Sequence, residues 1–225
     1  MKKFSAICVL LALTFCAPKS LQNVSGVLPA GNYKLDKTHA SLIFRVDHLG
    51  FSNYTARFKR FDASLNFDPA HPEKSSVVAT VDPTSLETDF PNTAKLNFNK
   101  MLQNKNWLDV ANFSQIKFVS KEIKITGKNS ANIIGEISLH GVKRPLTLSA
   151  TFNGGYASHP MDPSGARIGF SAKGSLNRGD FGIAFGIPQK DSKMGVSDKV
   201  EIILEVEFSK VAEKSVAKSA KKATN

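Results

Sequence analysis

Cysteine is scarce in this chain of 225 residues. Its two copies, Cys8 and Cys16, both lie near the N-terminus. Removal of that segment, which is predicted below, leaves a mature chain without cysteine. We therefore expect no structural disulfide, no thiol nucleophile and no zinc site built on cysteine ligands.

Sequence motifs of the common enzyme and cofactor sites are absent as well. The chain has no P-loop, no G-x-G-x-x-G after a strand, no G-x-S-x-G and no H-E-x-x-H. Arg178 and Asp180 are predicted to form an ion pair in a turn, but no nucleophile accompanies them. The chain is therefore predicted to have no catalytic residues, not to be an enzyme, and to hold no cofactor.

The histidines do not form a close pair with the spacing of metal ligands. His39 and His48 could approach each other if their strand curls. A polar pair at the mouth of a pocket, or ordinary hydrogen-bonded histidines, explains them better than a metal site. No metal is therefore predicted. The histidines are His39, His48, His71, His140 and His159.

Acidic residues are outnumbered, since 30 Lys and Arg stand against 19 Asp and Glu, for a net charge of +11. Residues 1–20 carry +3 and residues 210–225 carry +4, which leaves +4 for the body between them. With so small a body charge and no recognition helix or zinc finger, nucleic-acid binding is not expected. The basic mature chain is expected to make transient contact with anionic membrane surfaces.

Residues 1–20 are predicted to be a secretory signal peptide. A basic start is followed by an apolar run from Phe4 to Phe15, which is shorter than the ~20 residues that a membrane-spanning helix needs. The alternative is an N-terminal core helix. We predict an exported protein, periplasmic or secreted.

A lipid anchor through Cys16 is a further alternative. Leu13-Thr14-Phe15-Cys16 resembles a bacterial lipobox, but Phe15 is large where that motif has a small residue. Ordinary cleavage near residues 16–22 is favoured.

After Gly31 the chain alternates repeatedly between apolar and polar residues, which is the pattern of half-buried strands. The first stretch places Leu42, Phe44, Val46 and His48 on one face. Changes of register are expected around Lys59-Arg60 and again between Phe118 and Ile123. About eight such strands, mostly adjacent in sequence, predict an all-β antiparallel barrel or sandwich. A closed barrel of this size either fills its interior or holds one ligand.

Residues 83–113 interrupt the strand pattern. Phe98, Met101 and Leu102 have helical spacing after Pro91, which predicts a short helix near residues 93–103, followed by a loop with Trp107 and Leu108. This mid-chain insertion is either a lid or plug, or a cover over an open barrel end. Residues 210–225 are rich in Ala, Lys and Ser and are predicted to be a disordered tail or a frayed helix. A membrane-surface or partner-binding role for this tail is the alternative.

Phenylalanine dominates the aromatic residues, with 16 Phe against three Tyr and one Trp. Most strand Phe lie on the apolar face, which indicates an apolar interior with few polar groups to orient a ligand.

The order and spacing of several short motifs resemble the YceI-like family of polyisoprenoid-binding proteins. The resemblance covers about residues 32–209. Gln103 and Phe113-Ser114 depart from the family pattern beside the predicted cavity. The matching motifs are Tyr33-Lys34-Leu35-Asp36, His39-Ala40-Ser41, His48-Leu49-Gly50, Phe67-Asp68-Pro69, Trp107-Leu108-Asp109, Gly135-Glu136-Ile137-Ser138-Leu139-His140-Gly141, Arg178-Gly179-Asp180-Phe181-Gly182 and Val196-Ser197-Asp198.

The resemblance implies a lipocalin-like antiparallel β-barrel domain over residues 31–209, exported in bacteria. It also implies that the barrel binds an isoprenoid lipid, such as a quinone tail or a polyprenyl chain. The rival hypothesis is a non-enzymatic interaction protein with a filled barrel, acting through its surface or basic tail. A homodimer is compatible with either.

Inward-facing residues of the predicted barrel are the candidate ligand contacts, although ordinary barrel core explains some of them equally well. The candidates are Phe44, Val46, Phe61, Leu65, Leu102, Trp107, Phe113, Phe118, Phe170, Phe181 and Ile202.

Overall fold

The computed structural model of the protein describes residues 24–91 and 95–212. The predicted signal peptide, Cys16 with its lipid-anchor alternative, and residues 213–225 of the predicted tail lie outside the described residues. These features stay predictions.

Strands make up most of the described chain. Three 3-10 turns (Pro72–Lys74, Pro83–Ser85 and Arg178–Phe181) and one short helix, α1 (Phe98–Leu102), connect them. In chain order the strands are β1 (Val24–Ser25), β2 (Gly31–His48), β3 (Ser52–Phe58), β4 (Phe61–Phe67), β5 (Ser76–Val81), β6 (Leu86–Glu87), β7 (Ile116–Gly127), β8 (Ser130–Leu139), β9 (Val142–Tyr156), β10 (Arg167–Asn177) and β11 (Val196–Lys210).

Eight of these strands form a closed antiparallel barrel in the order β2-β4-β5-β7-β8-β9-β10-β11. The ring closes because β11 pairs with β2 along most of their length, from Val200 opposite Val46 to Lys210 opposite Tyr33. The predicted all-β lipocalin-like barrel is therefore confirmed. Closure leaves no open sheet edge in the ring, which is how small barrels satisfy their backbone groups.

Strand β2 is long enough to pair with two strands along its other edge, the edge that does not face β11. Residues Gly31 to Lys34 pair with β4, and residues Leu42 to His48 pair with β3. β3 pairs in turn with the short β6, and β1 adds to β9 in parallel. A branch of two strands therefore extends one end of the barrel wall beyond the ring.

Both expected register changes occur. Lys59 and Arg60 form a bend that ends β3 and starts β4, so Phe58 and Phe61 belong to different strands. In β7 the register shifts between Ser120 and Glu122, which changes the phase of the following residues relative to Phe118.

The helix is shorter than predicted. The spacing predicted residues 93–103, whereas α1 covers Phe98–Leu102, and residues 92–94 lie outside the described residues. The Asn97 side chain accepts a hydrogen bond from the backbone N–H of Lys100, at 2.9 Å, and so caps the start of α1. This cap, rather than Pro91, sets the first turn.

Two groups of buried side chains divide the barrel along its axis. The first group, which we call the closed half, is built on Tyr33, Leu65, Phe67, Ile168 and Phe208. The second group lies where β8 meets β9 and β10 reaches the 3-10 turn at Arg178; we call this the cavity half. The same strands contribute to both halves, since β2 runs from one end to the other.

An ion-pair network lies at the outer surface of the closed half, around Arg167. Its guanidinium donates to Asp36, to Glu207 at 2.8 Å and to Asp162 at 2.9 Å. Burial acts to lower the pKa of Arg167, but hydrogen bonds to Glu207, Asp36 and Asp162 outweigh it and raise the pKa. The pKa of Asp36 is lowered first by the Thr38 hydroxyl and further by His39 and Arg167. The network joins β2, β10 and β11 where residues 36–39 bulge opposite Glu207.

Across residues 24–91 and 95–212, no helix has the length and apolar character required to cross a membrane.

A candidate apolar ligand cavity

The cavity half encloses a space of about 630 Å³. This volume lies in the range typical of small-molecule sites, which is about 300–1,000 Å³. Apolar side chains supply almost all of the lining. Among the described residues, the lining side chains that carry a polar group are His48, Tyr54, Trp107 and Arg178.

Strand alternation builds the walls of the cavity. Leu42, Phe44, Val46 and His48, which share one face of β2, all line it. The intervening residues of β2 point outward because successive side chains of a strand alternate between faces. The predicted inward face of this strand is therefore the face that meets the cavity.

The Phe118 ring of β7 lies over Gly135 of β8, where a side chain on the neighbouring strand would exclude it. A Cβ on Gly135 would come within 2.5 Å of the Phe118 ring and of the Val119 carbonyl oxygen. The glycine of β8 thus leaves the space in the barrel wall that the Phe118 ring occupies.

The mid-chain insertion covers this end of the barrel and also lines the cavity. Phe90, Phe98, Leu102 and Trp107 all contribute to the lining. Side-chain hydrogen bonds hold the segment in place, including one from the Gln103 side-chain amide to the Thr84 carbonyl at 3.1 Å. The insertion therefore acts as a cover whose inner surface is part of the cavity wall.

Arg178 is a buried cation at the edge of the cavity. Its guanidinium donates to the backbone carbonyls of Ser197, Ile183, Phe185 and Val196 at 2.8–2.9 Å. It also lies 5.4 Å from the centre of the Trp107 ring, in a cation–π contact. Burial lowers its pKa.

The predicted ion pair between Arg178 and Asp180 is wrong. Within the described chain the Arg178 hydrogen bonds go to the backbone of the segment 183–197, and Asp180 is exposed on the 3-10 turn. The acid that faces this turn is Asp198, whose carboxylate accepts from the backbone N–H of Gly179 at 2.7 Å. A spacing of two residues on this tight turn does not bring the two side chains together. Arg178 fastens the following loop instead.

Seven of the eleven candidate contacts line the cavity, and their contact with a ligand stays a prediction. They come from four strands, the helix and its following loop. They are Phe44, Val46, Phe61, Leu102, Trp107, Phe118 and Ile202.

The other four candidates lie outside the cavity lining. Leu65 and Phe170 pack into the closed half. Phe113 packs on the His140 ring, with ring centres 4.5 Å apart. Phe181 is fully buried beneath the 3-10 turn, and its carbonyl accepts a hydrogen bond from His140 Nδ1 at 2.9 Å. Alternation identifies an inward side chain but does not identify the half of the barrel that it fills.

Several lining residues were missed by the sequence analysis. Strand β3 alternates between inward and outward side chains as clearly as β2 does, and this pattern could have revealed its inward residues, Tyr54, Ala56 and Phe58. Phe90 and Ile183 lie in irregular segments, where no periodic signal exists.

One cluster of potential metal ligands lies in the closed half, away from the cavity. Donor atoms of Asp36, His39 and Glu207 lie within 4.8 Å of one another. The Arg167 guanidinium already supplies a cation to both carboxylates, so the cluster does not by itself indicate a metal site. His39 belongs to this cluster, with its Nδ1 2.9 Å from Asp36, whereas His48 lines the cavity. The two histidines thus belong to opposite halves.

Known proteins match this chain over the residues that form the barrel. The model of the YceI-like domain matches residues 33–208, which extend from the start of β2 to near the end of β11. A UPF0312 protein of Pseudomonas fluorescens (strain SBW25) is 40% identical over 162 residues, which cover 71% of this chain and 80% of that protein.

Solved structures share the fold at lower identity. BcnA of Burkholderia cenocepacia superposes with a TM-score of 0.63 and 23% identity, over 77% of this chain and 98% of BcnA. A polyisoprenoid-binding domain from Saccharophagus degradans superposes with a TM-score of 0.55 and 12% identity, over 80% of this chain and 99% of that domain. On the family match and the Pseudomonas relative, the chain belongs to the YceI-like family.

Proposed function

We propose that this protein is exported and that it binds an isoprenoid lipid, such as a quinone or a polyprenyl chain, in the cavity of its barrel. The observation that carries this proposal is a cavity of about 630 Å³ with an almost wholly apolar lining. The Saccharophagus degradans domain of the same fold, described as polyisoprenoid-binding, supports this ligand class.

Burial of the lipid chain supplies the affinity. Each Å² of apolar surface removed from water contributes about 25 cal/mol, so a long hydrocarbon chain binds with few hydrogen bonds. The aromatic lining suits a branched, unsaturated chain, because flat rings such as Phe44 and Phe118 conform to its planar segments.

We propose that the polar end of the ligand lies at the mouth of the cavity. His48 pairs in register with Val196, whose carbonyl accepts a hydrogen bond from Arg178. His48 and Arg178 therefore stand on the same side of the mouth, and both line the cavity. A head group with acceptor oxygens, such as a quinone carbonyl or a phosphate, would find a hydrogen-bond donor in His48 there, beside the positive charge of Arg178.

Binding and carriage, rather than catalysis, fit the chemistry of the lining. No serine, cysteine, aspartate or glutamate of the described chain lines the cavity, so a nucleophile with its base is missing from it. We propose that the protein is a carrier whose bound lipid is cargo.

The test is to purify the exported protein from its own host and to analyse organic extracts by mass spectrometry. We expect an isoprenoid in a constant molar ratio to protein. Phe118→Lys, which places a charge in the lining, should abolish retention of the lipid.

Val78→Lys is the matched control, because Val78 is partly exposed on the outer face of the neighbouring strand β5. A folded Phe118→Lys variant that retains the lipid, or a wild-type protein that is always empty, would contradict the proposal. An empty barrel would favour the interaction-protein hypothesis.

A further inference from the structure

Three segments lie at the mouth of the cavity, and one of them contacts the other two; we call them the rim. They are the β2–β3 turn at residues 48–52, residues 95–112 of the cover and the loop at residues 182–195. The Leu49 N–H donates to the Gly195 carbonyl at 2.9 Å, which joins the turn to the loop. The Trp107 and Phe185 rings, with centres 5.4 Å apart, join the cover to the loop.

Large apolar side chains project from this rim into solvent. Phe51 is 80% exposed, Met194 is 72% exposed and Phe185 is 58% exposed. Phe51 follows Leu49 and Gly50, which both have positive φ, in the tight turn that returns the chain from β2 to β3. Among the described residues, Phe51 and Phe185 are the phenylalanines that rank as exposed, and both belong to the rim.

The charge of the rim favours anionic surfaces. The rim carries five lysines and two aspartates, so its net charge is positive. The lysines are Lys95, Lys100, Lys105, Lys190 and Lys193, and the aspartates are Asp109 and Asp191.

We propose that the rim docks the protein on the surface of an anionic lipid bilayer, with Phe51, Phe185 and Met194 inserted among the acyl chains. Exposed aromatic and Met side chains beside lysines are the combination that interfacial membrane binding uses. Insertion orients the mouth toward the bilayer. An apolar molecule then passes between the bilayer and the cavity without crossing water.

This docking extends the proposed carrier function but does not depend on the identity of the cargo. Trp107 lies both in the cavity lining and against Phe185, so the rim and the cavity are continuous. The most exposed apolar residues of the opposite end, Val27 (91%) and Met161 (86%), are separated from the cavity by the packed closed half.

The test measures binding to vesicles of phosphatidylethanolamine and phosphatidylglycerol by co-sedimentation. Phe51→Ser/Phe185→Ser should weaken binding at least about tenfold, because each ring would lose its burial in the acyl region. Val27→Ser/Met161→Ser is the matched control at the opposite end and should bind as the wild type does. Equal binding by the two double variants would overturn the proposal.

A second readout separates insertion from adsorption through the basic tail. Trp107 is the single tryptophan of the chain, so its fluorescence reports on the rim and on the part of the cavity beside it. Lipids brominated on the acyl chains should quench it in vesicles containing phosphatidylglycerol, and less so in the Phe51→Ser/Phe185→Ser variant. Binding without quenching would show that charge alone holds the protein, and would overturn the proposal.

Failure of the docking and failure of the lipid-binding function are distinguishable. Vesicle binding needs no cargo, and the extraction assay for cargo needs no vesicles. A protein that carries an isoprenoid but does not bind vesicles would refute the rim proposal alone.

Discussion

The closed half and the cavity half share the same strands but solve the problem of their interior differently. In the closed half, Phe67 touches Tyr33, Phe152 and Phe170, with ring centres 5.8–6.3 Å apart. In the cavity half, Phe44 and Phe58 stand 5.5 Å apart and face open space. One end of the barrel is therefore filled by packed side chains. The other combines a packed wall with hydrogen bonds that fasten its cover and loop around an open space.

The interior of this barrel is therefore not uniform. Aromatic side chains from β2, β4, β9 and β10 converge in the closed half and leave no room for a ligand. In the cavity half, Arg178 adds four hydrogen bonds to the backbone of residues 183–197. A filled end and an empty end can thus coexist in one small barrel.

The largest predicted effect contrasts Phe67→Ala with Phe44→Ala. Phe67→Ala should lower the free energy of unfolding by about 3–5 kcal/mol, because it opens a cavity in a packed core. Phe44→Ala should cost about 1–2 kcal/mol, since Phe44 already borders open space. Urea-induced unfolding of the ligand-free protein measures both. Equal losses would show that the two halves are packed alike.

A smaller loss is expected for Arg178→Met. The variant keeps the apolar stem but leaves backbone carbonyls without their donor, at a cost of about 2–3 kcal/mol. The signal of Trp107, which lies beside Arg178, should change as well. Arg178→Lys should not restore stability, because an ammonium group lacks the planar fork that reaches several carbonyls. Full stability in either variant would remove Arg178 as the fastener of the cavity half.

The third effect appears only in acid and belongs to the closed half. The pKa of Asp36 and of Asp162 is lowered in the folded chain, for Asp36 first by Thr38 and for Asp162 first by Ser164. Their contribution to stability is therefore complete above the pKa of an unfolded aspartate. It is lost as the pH falls from there toward their folded values.

Urea unfolding at about pH 6 and about pH 3 measures this loss, and Asp36→Asn should reduce it. An Asp36→Asn variant with the same acid dependence as the wild type would contradict the assignment.

The fold and the direction of most inward side chains could be predicted from the sequence. Alternation along Leu42, Phe44, Val46 and His48 identified a face that the barrel does turn inward. The family motifs supplied the lipocalin-like closure, which alternation alone left open between barrel and sandwich.

The position of the cavity along the barrel could not be predicted. Leu65 and Phe118 show the same alternation, yet Leu65 packs in the closed half and Phe118 lines the cavity. The difference depends on partners far away in sequence, such as Gly135 beside Phe118. The helix start depended on one side chain, Asn97, whose cap outweighed the signal from Pro91.

The pairing of β2 with β11 has a consequence for how the chain must fold. The two strands that close the ring, β2 and β11, are separated by almost the whole domain in sequence. Until β11 arrives, β2 and β10 each present an edge with unpaired backbone groups, and such edges associate readily with other chains. We therefore expect assembly of the barrel to be slow, with β11 as the strand that completes it. A chain with this topology must be kept from other unfolded chains until that strand is in place.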